Sequence, residues 1–274
     1  MPKLLNDAQI EHFNTQGYVT PFRGISEEEA CKCRGRIEAY EAQTGEQAEK
    51  RLKIKGHLAF PWIVELGCNG RVLDAVEDLI GPDILLFGTS IFAKNAHDPG
   101  FVSWHQDSAY FGLNPHDEVT AWIALTKSNG ENGCLRVMPE THRGPDLQHV
   151  ETYAANNMLA RGQTIESLDE SKAVNIELEP GQFSLHHERT AHGSLENRSD
   201  DRRIGLAFFY IPTSVSSTLG RGKALLVRGE DKYGHWDPDV LPRFDLDPVS
   251  LAELDRVWGG YKGGKYTQAA KAEA

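Results

Sequence analysis

The chain has 274 residues, 39% hydrophobic and 25% charged, the balance of an ordinary soluble globular protein. A formal net charge of −11 disfavours nucleic acid as a partner, because that affinity rests on Lys and Arg meeting phosphates. No run of about 18 apolar residues is present to span a membrane, and Met1 to Asp7 lack the apolar stretch of a secretory signal. The expected compartment is therefore the cytoplasm, with Cys31, Cys33, Cys68 and Cys134 as free thiols.

Asn6 is suited to cap a helix that carries Ile10 and Phe13 and stops at Gly17. Residues 18–22 read as a short strand. Ser26 followed by Glu27, Glu28 and Glu29 opens a second helix to about Thr44, with acidic groups on the positive end of its dipole. A third helix is predicted over 70–79, before Gly81-Pro82. Beyond Pro82 the chain turns to β-prone runs at 84–94, 102–107, 119–125, 134–138, 174–178, 182–187, 204–211 and 224–227. They are separated by turn signals such as Asp98-Pro99-Gly100, Asn129-Gly130 and Glu179-Pro180-Gly181. Residues 140–172 are polar and read as an excursion from the sheet, with a helix near 152–159.

Helices followed by many short antiparallel strands predict a mainly β protein with flanking helices, a double-stranded β-helix (jelly-roll, cupin-like) barrel. One domain over 1–274 is expected, with a helical part at about 5–80, the barrel at about 82–228 and a C-terminal extension at 229–274. The extension is expected to fray from about Gly259.

His105 and Asp107 lie two apart in the 102–107 strand, which directs both side chains to one face, about 7 Å apart along the strand. Val102 and Trp104 suit a buried opposite face, so the polar pair calls for a function. An imidazole and a carboxylate so placed can hold neighbouring positions on one metal ion. A second imidazole from another strand would complete the 2-His-1-carboxylate set of non-haem Fe(II) oxygenases, which leaves positions open. Residues 182–194 supply His186, His187 and His192, and periodicity does not choose among them; His192 precedes Gly193, where backbone can approach closely. Downstream, Arg203 offers a planar fork that matches a carboxylate with two bonds, while Arg202 would point to the opposite face of the strand, near Asp200 and Asp201.

Three blocks occur in order: W-H-Q-D at 104–107, G-C-L-R-V-M-P-E-T-H-R-G at 133–144 and H-G-S-L-E-N-R-S-D-D-R-R-I-G-L at 192–206. With the opening Asn14-Thr15-Gln16-Gly17-Tyr18-Val19, they make the chain resemble the phytanoyl-CoA dioxygenase (PhyH-like) family of Fe(II)/2-oxoglutarate-dependent oxygenases over most of residues 5–212. The resemblance implies His105, Asp107 and His192 as iron ligands. It implies Arg203 as the partner of the C5 carboxylate of 2-oxoglutarate, with Ser194 hydrogen-bonding the same group. Trp122 would line the co-substrate pocket, and Lys94 would face it from a neighbouring strand.

The implied reaction consumes O2 and 2-oxoglutarate, releases succinate and CO2, and hydroxylates an unactivated carbon of a small soluble metabolite. Halogenating relatives replace the carboxylate ligand with a small residue, so Asp107 points to hydroxylation. The acidic charge leans against a polyanionic acyl-CoA substrate. Cys134 is read as a core residue, and His12, His57, His97, His116, His142, His149 and His235 as structural or exposed. Residues 53–62, 108–113, 145–172 and 228–236 are the expected mouth. Two rival readings are a cupin-like metal enzyme that does not use 2-oxoglutarate, in which Arg203 and Ser194 have no role, and a non-catalytic binding barrel. The sequence leaves the oligomeric state open.

Overall fold

A helical layer opens the chain, set by its caps. The computed structural model describes residues 2–152, 154–159 and 162–262. Asn6 and Gln9 form a reciprocal capping box at the start of α1 (Asp7–Gln16), and Gly17 ends that helix in left-handed backbone at φ 85°. Strand β1 (Tyr18–Arg23) follows, and Ser26 with Glu29 repeats the box at the start of α2 (Glu27–Thr44). Next come α3 (Ala48–Arg51), a 3-10 turn at Gly56–Leu58 and α4 (Pro61–Gly67), none of them expected from the sequence. Each is too short to display a helical period. Helix α5 (Gly70–Ile80) is capped by the Asn69 side chain and buries Val72, Leu73, Ala75 and Val76.

The strand-rich part begins with β2 (Ile84–Lys94) and β3 (Val102–His105), followed by α6 (Ser108–Phe111), β4 (Leu113–Asn114) and β5 (Val119–Ala124). After β6 (Leu135–Val137) the polar excursion is pinned by the pair β7 (Val150–Glu151) and β8 (Gln163–Thr164). The remaining strands are β9 (Val174–Ile176), β10 (Gln182–His187), β11 (His192–Ser194), β12 (Arg203–Pro212), β13 (Ser216–Ser217), β14 (Lys223–Arg228) and β15 (Asp237–Pro238).

Among the described residues the expected helix at 152–159 is absent. The described residues there turn instead, with Asn156 at φ 66° and Asn157 bridged to Phe101. Asn side chains compete with helical backbone bonding, so this pair breaks the helix. Residue 153 lies outside the described residues. At the other end, α7 (Pro248–Lys262) was not foreseen; it buries Leu254, and the Trp258 indole donates to the Arg51 carbonyl at 2.8 Å. The expected fraying falls mostly on residues 263–274, outside the described residues.

A seven-stranded sheet in the order β1-β10-β5-β12-β2-β14-β15 faces a four-stranded one, β3-β11-β6-β9. Alternation along the strands sorts the two faces. Ile204, Leu206, Phe208 and Tyr210 of β12, with Val119, Ala121 and Ile123 of β5, pack under the helices. Their alternates Ala207, Trp122 and Ala124 meet Leu135, Val137 and Ile176 of the smaller sheet. The architecture is a jelly roll with helices on one outer face, and its two sheets stay separate instead of closing into one barrel. Among the described residues no helix is long and apolar enough to cross a membrane.

Candidate metal centre

Antiparallel pairing of β3 with β11 sets His105 opposite His192, and the two imidazole centroids lie 4.2 Å apart. Strand β3 ends at His105, so Asp107 is not the second strand residue expected. It lies in helical backbone (φ −65°, ψ −30°) immediately before α6, where Tyr110 N–H already bonds to its carbonyl at 2.8 Å. This turn brings the carboxylate back onto the imidazoles, with Oδ1 3.4 Å from His105 Nε2 and Oδ2 3.9 Å from His192 Nε2. One ligand atom from each of the three residues lies within 4.8 Å of the others.

The tautomers are fixed within each ligand's own strand. His105 Nδ1 donates to the Ser103 carbonyl and His192 Nδ1 to the Thr190 carbonyl, each at 2.9 Å. Placing the proton on Nδ1 leaves Nε2 with its lone pair toward Asp107. Burial above all, helped by neighbouring His105, depresses the His192 pKa to about 4, so its imidazole is neutral and able to ligate. Burial opposes ionisation of Asp107, but His192 and His105 outweigh it and hold the carboxyl below its ordinary value. Two imidazoles and one carboxylate fit a divalent iron. Gln106 turns away: its amide donates to the Arg189 carbonyl at 2.6 Å and accepts from Leu147 N–H at 2.7 Å, which ties down both flanking segments.

A cavity extends from the triad between the sheets. Its far end is cationic. Arg203, at the start of β12, is buried and donates to the Phe92 and Gly133 carbonyls at 3.2 and 2.9 Å, while its Nε has no partner. The guanidinium lies 5.7 Å from the Trp122 ring centre, and burial lowers its pKa to about 10. Among the described residues no carboxylate pairs with it, and a buried charge without a counter-ion is strongly unfavourable unless a ligand supplies one.

Ser194 and Trp122 line the same cavity. Lys94 sits opposite Arg203 in register and behind Ser194, donating to Ser194 Oγ at 2.8 Å and to the Leu195 carbonyl. Burial, then the charge of Arg203, depresses its pKa to about 6. Arg202 does point to the other face, yet it meets neither Asp200 nor Asp201 side-on as a surface arginine would. It forms a two-pronged pair with Glu41 of α2 at 2.6 and 2.8 Å.

The sequence left His186 among three candidates. It lines the cavity from β10, its ring 4.7 Å from that of His192, whereas His187 points to the helical side near Phe13. Glu118 and Glu188, which the sequence reading did not single out, are fully buried near the triad. Of the expected mouth, α6 packs Phe111 against Phe209 at 5.0 Å, and Trp236 is buried beside Phe87 at 5.2 Å. The 53–62 segment is fixed instead by a buried network: Lys55 Nζ reaches both Asp239 oxygens at 2.9 Å, and His57 Nε2 lies 3.0 Å from Asp239 Oδ2. Cys134 is buried and all four cysteines are free thiols.

The sequence profile of the phytanoyl-CoA dioxygenase (PhyH) family matches residues 13–205. The chain is 30% identical over 221 residues to a probable alpha-ketoglutarate-dependent hypophosphite dioxygenase of Stutzerimonas stutzeri, covering 77% of this chain and 74% of that protein. It is 32% identical over 181 residues to the peroxisomal phytanoyl-CoA dioxygenase of Bos taurus, where the match covers 61% of this chain and 53% of the relative, about half its length. Among solved structures, the non-heme monooxygenase ThoJ in its apo form superposes with a TM-score of 0.83 at 31% identity, over 96% of this chain and 99% of the other. The span matched by the family profile contains His105, Asp107, His192 and Arg203, and the chain belongs to the phytanoyl-CoA dioxygenase (PhyH) family of Fe(II)- and 2-oxoglutarate-dependent oxygenases.

Proposed function

We propose that this chain hydroxylates an unactivated carbon of a small soluble molecule, using Fe(II), 2-oxoglutarate and O2 and releasing succinate and CO2. The observation that carries the reading is the unpaired, buried Arg203 guanidinium at one end of a cavity whose other end is the His105, Asp107 and His192 set. In this reading the three side chains hold iron, and Arg203 with Ser194 takes the distal carboxylate of 2-oxoglutarate through charge-assisted bonds. Lys94 orients the Ser194 hydroxyl from behind, and Trp122 forms the wall over Arg203. When bound, the iron supplies activation of O2 coupled to oxidative decarboxylation of the co-substrate. Phe92, Val102 and Phe209 make the walls apolar, which excludes bulk water from the reacting carbon. The carboxylate at 107 favours oxygen transfer over halide transfer. The Stutzerimonas stutzeri relative, named for its dependence on alpha-ketoglutarate, supports the choice of co-substrate.

The test is anaerobic titration of the Fe(II)-loaded protein with 2-oxoglutarate, following the weak visible charge-transfer band of a chelated 2-oxo acid. The band should develop in the wild type and fail in Arg203→Ala at the same co-substrate concentration. Its absence with metal demonstrably bound would overturn the reading and favour a cupin-like metal enzyme that does not use 2-oxoglutarate.

A further inference from the structure

Besides the triad and the Arg203 end, the cavity wall carries two polar side chains from the large sheet, Thr120 and His186. Alternation along β5 puts Thr120 and Trp122 on the same inner face, about 7 Å apart. Antiparallel pairing with β10 sets His186 in register with Thr120, and its ring lies 4.7 Å from that of His192. The face therefore runs from the Trp122 row, where the Arg203 guanidinium lies, to a Thr120/His186 row beside the triad.

His186 is 2% exposed, lines the cavity and leaves both ring nitrogens without a partner among the described residues. Buried polar atoms are almost always paired, so orphans on an imidazole in a cavity wall mark a place where a bound molecule supplies the partner. An imidazole carries at least one N–H in either protonation state, so His186 can donate there. Thr120 has its proton committed elsewhere, since its hydroxyl donates to Glu118 Oε1 at 2.9 Å. His186 is thus the donor that this row offers.

Length decides what reaches it. The Trp122 and His186 rows are one strand repeat apart, about 7 Å. A five-carbon diacid with bonds of about 1.5 Å spans roughly 5 Å between its carboxyl carbons and about 7 Å between its outermost oxygens. With its distal carboxylate on Arg203 and Ser194, 2-oxoglutarate brings its 2-oxo acid end level with His186 and the triad. Chelation through the C1 carboxylate and the 2-oxo group occupies one C1 oxygen. The other is left in a buried cavity, where an unpaired anionic oxygen is costly.

We propose that His186 binds the C1 carboxylate of 2-oxoglutarate, donating an N–H to the oxygen that does not meet the metal. The co-substrate is then gripped at both ends, by Arg203 and Ser194 at C5 and by His186 at C1. This deepens the oxygenase reading and rests on it for the identity of the ligand.

The test is anaerobic titration of the Fe(II)-loaded protein with 2-oxoglutarate and with pyruvate, read through the charge-transfer band. Pyruvate keeps the 2-oxo acid end and lacks the distal carboxylate. His186→Leu removes the donor and should weaken both ligands by the same factor, about tenfold or more, as expected on losing a hydrogen bond to a charged group. His186→Gln keeps an N–H and should stay within about threefold of the wild type. Arg203→Ala supplies the contrast: it should weaken 2-oxoglutarate and leave pyruvate unchanged. Unchanged affinities in His186→Leu, a loss confined to 2-oxoglutarate, or an equal loss in the Leu and Gln variants would overturn the proposal. If His186→Leu fails to fold, nuclear magnetic resonance of the zinc-loaded wild type decides. Both ligands should bring out an imidazole N–H resonance shielded from exchange with water, and its failure to develop would overturn the proposal. A wild type that holds metal yet shows no band sinks the oxygenase reading and this inference with it, whereas a normal band with unchanged variants sinks only the role of His186.

Discussion

Gly205 lies in register between Phe92 of β2 and Ala124 of β5, directly beneath the Trp122 indole. A methyl group at that position would stand 1.9 Å from Trp122 Cζ2 and 2.4 Å from both Cε2 and Cη2. Carbon atoms rest at about 3.5–4.0 Å, so Gly205→Ala requires the indole to retreat by roughly 1.5 Å or the strand to bow away. Neither is easy, because Trp122 is 4% exposed and carries the Arg203 guanidinium on its face. Overpacking of this kind costs about 1–3 kcal/mol, which for a chain of this size lowers Tm by roughly 2–5 °C. A displaced indole moves into the cavity, so 2-oxoglutarate affinity should fall about tenfold as well. Trp122→Phe deletes the ring atoms that the methyl group meets, and the two substitutions should therefore couple. In a double-mutant cycle built from denaturant unfolding of the four metal-free proteins, Gly205→Ala should cost about 1–2 kcal/mol less in the Trp122→Phe background. Additivity within about 0.5 kcal/mol would refute the placement of Trp122 over β12.

His105→Ala and Asp107→Ala should each abolish turnover and the visible band while far-UV circular dichroism of the chelated protein stays unchanged; retained turnover in either would remove these residues from the metal site. Saturating 2-oxoglutarate at about 100 times its Kd should stabilise the metal-loaded wild type by about 2.7 kcal/mol and leave Arg203→Ala nearly unshifted, as read from melting curves. Equal protection of both proteins would place the co-substrate elsewhere. At Asp239, burial works to raise the pKa, but the Lys55 charge and the His57 hydrogen bond outweigh it and bring it down to about 2 from 3.8. A carboxylate depressed by folding stabilises fully above its unfolded value, so this contribution should vanish as pH falls from about 4 to about 2. Asp239→Asn, which leaves Lys55 and His57 buried without their counter-charge, should cost about 3–5 kcal/mol at pH 7 and flatten the acid limb of the stability profile. A wild-type acid limb in the variant would show that another carboxylate sets it.

What could be read in advance follows from how each element advertises itself. Asn6, Ser26 and Gly17 announced helix ends because capping is local chemistry, and 204–211 announced a strand because β-branched and aromatic residues dominate it. The motif blocks pointed to His105, Asp107 and His192 by resemblance, whereas periodicity alone did not separate His192 from its neighbours: β11 is three residues long and holds a glycine. Glu118 escaped notice because β5 is buried on both faces, so the strand it precedes shows no alternation to mark an inner side. Lys94 likewise gave no sign that its amine would stand behind Ser194, since that depends on pairing across a hundred residues. The missed short helices and α7 are held by contacts distant in sequence, such as Trp258 to Arg51, which no local pattern encodes.

His105 and His192 each hand their Nδ1 proton to a carbonyl two residues upstream in their own strand. In the proposed reading the two imidazoles are therefore set by backbone pairing and the carboxylate by the turn before α6, ahead of any metal, and such a set discriminates poorly among ions that accept two imidazoles and a carboxylate. Divalent nickel, copper and zinc bind such donors more tightly than iron does. In that reading the fraction of protein able to turn over is decided by which ion reaches the site first and how fast it leaves. Low specific activity in a purified sample would then report the metal supply of the host cell, and chelation followed by anaerobic iron reloading would restore it without any refolding step.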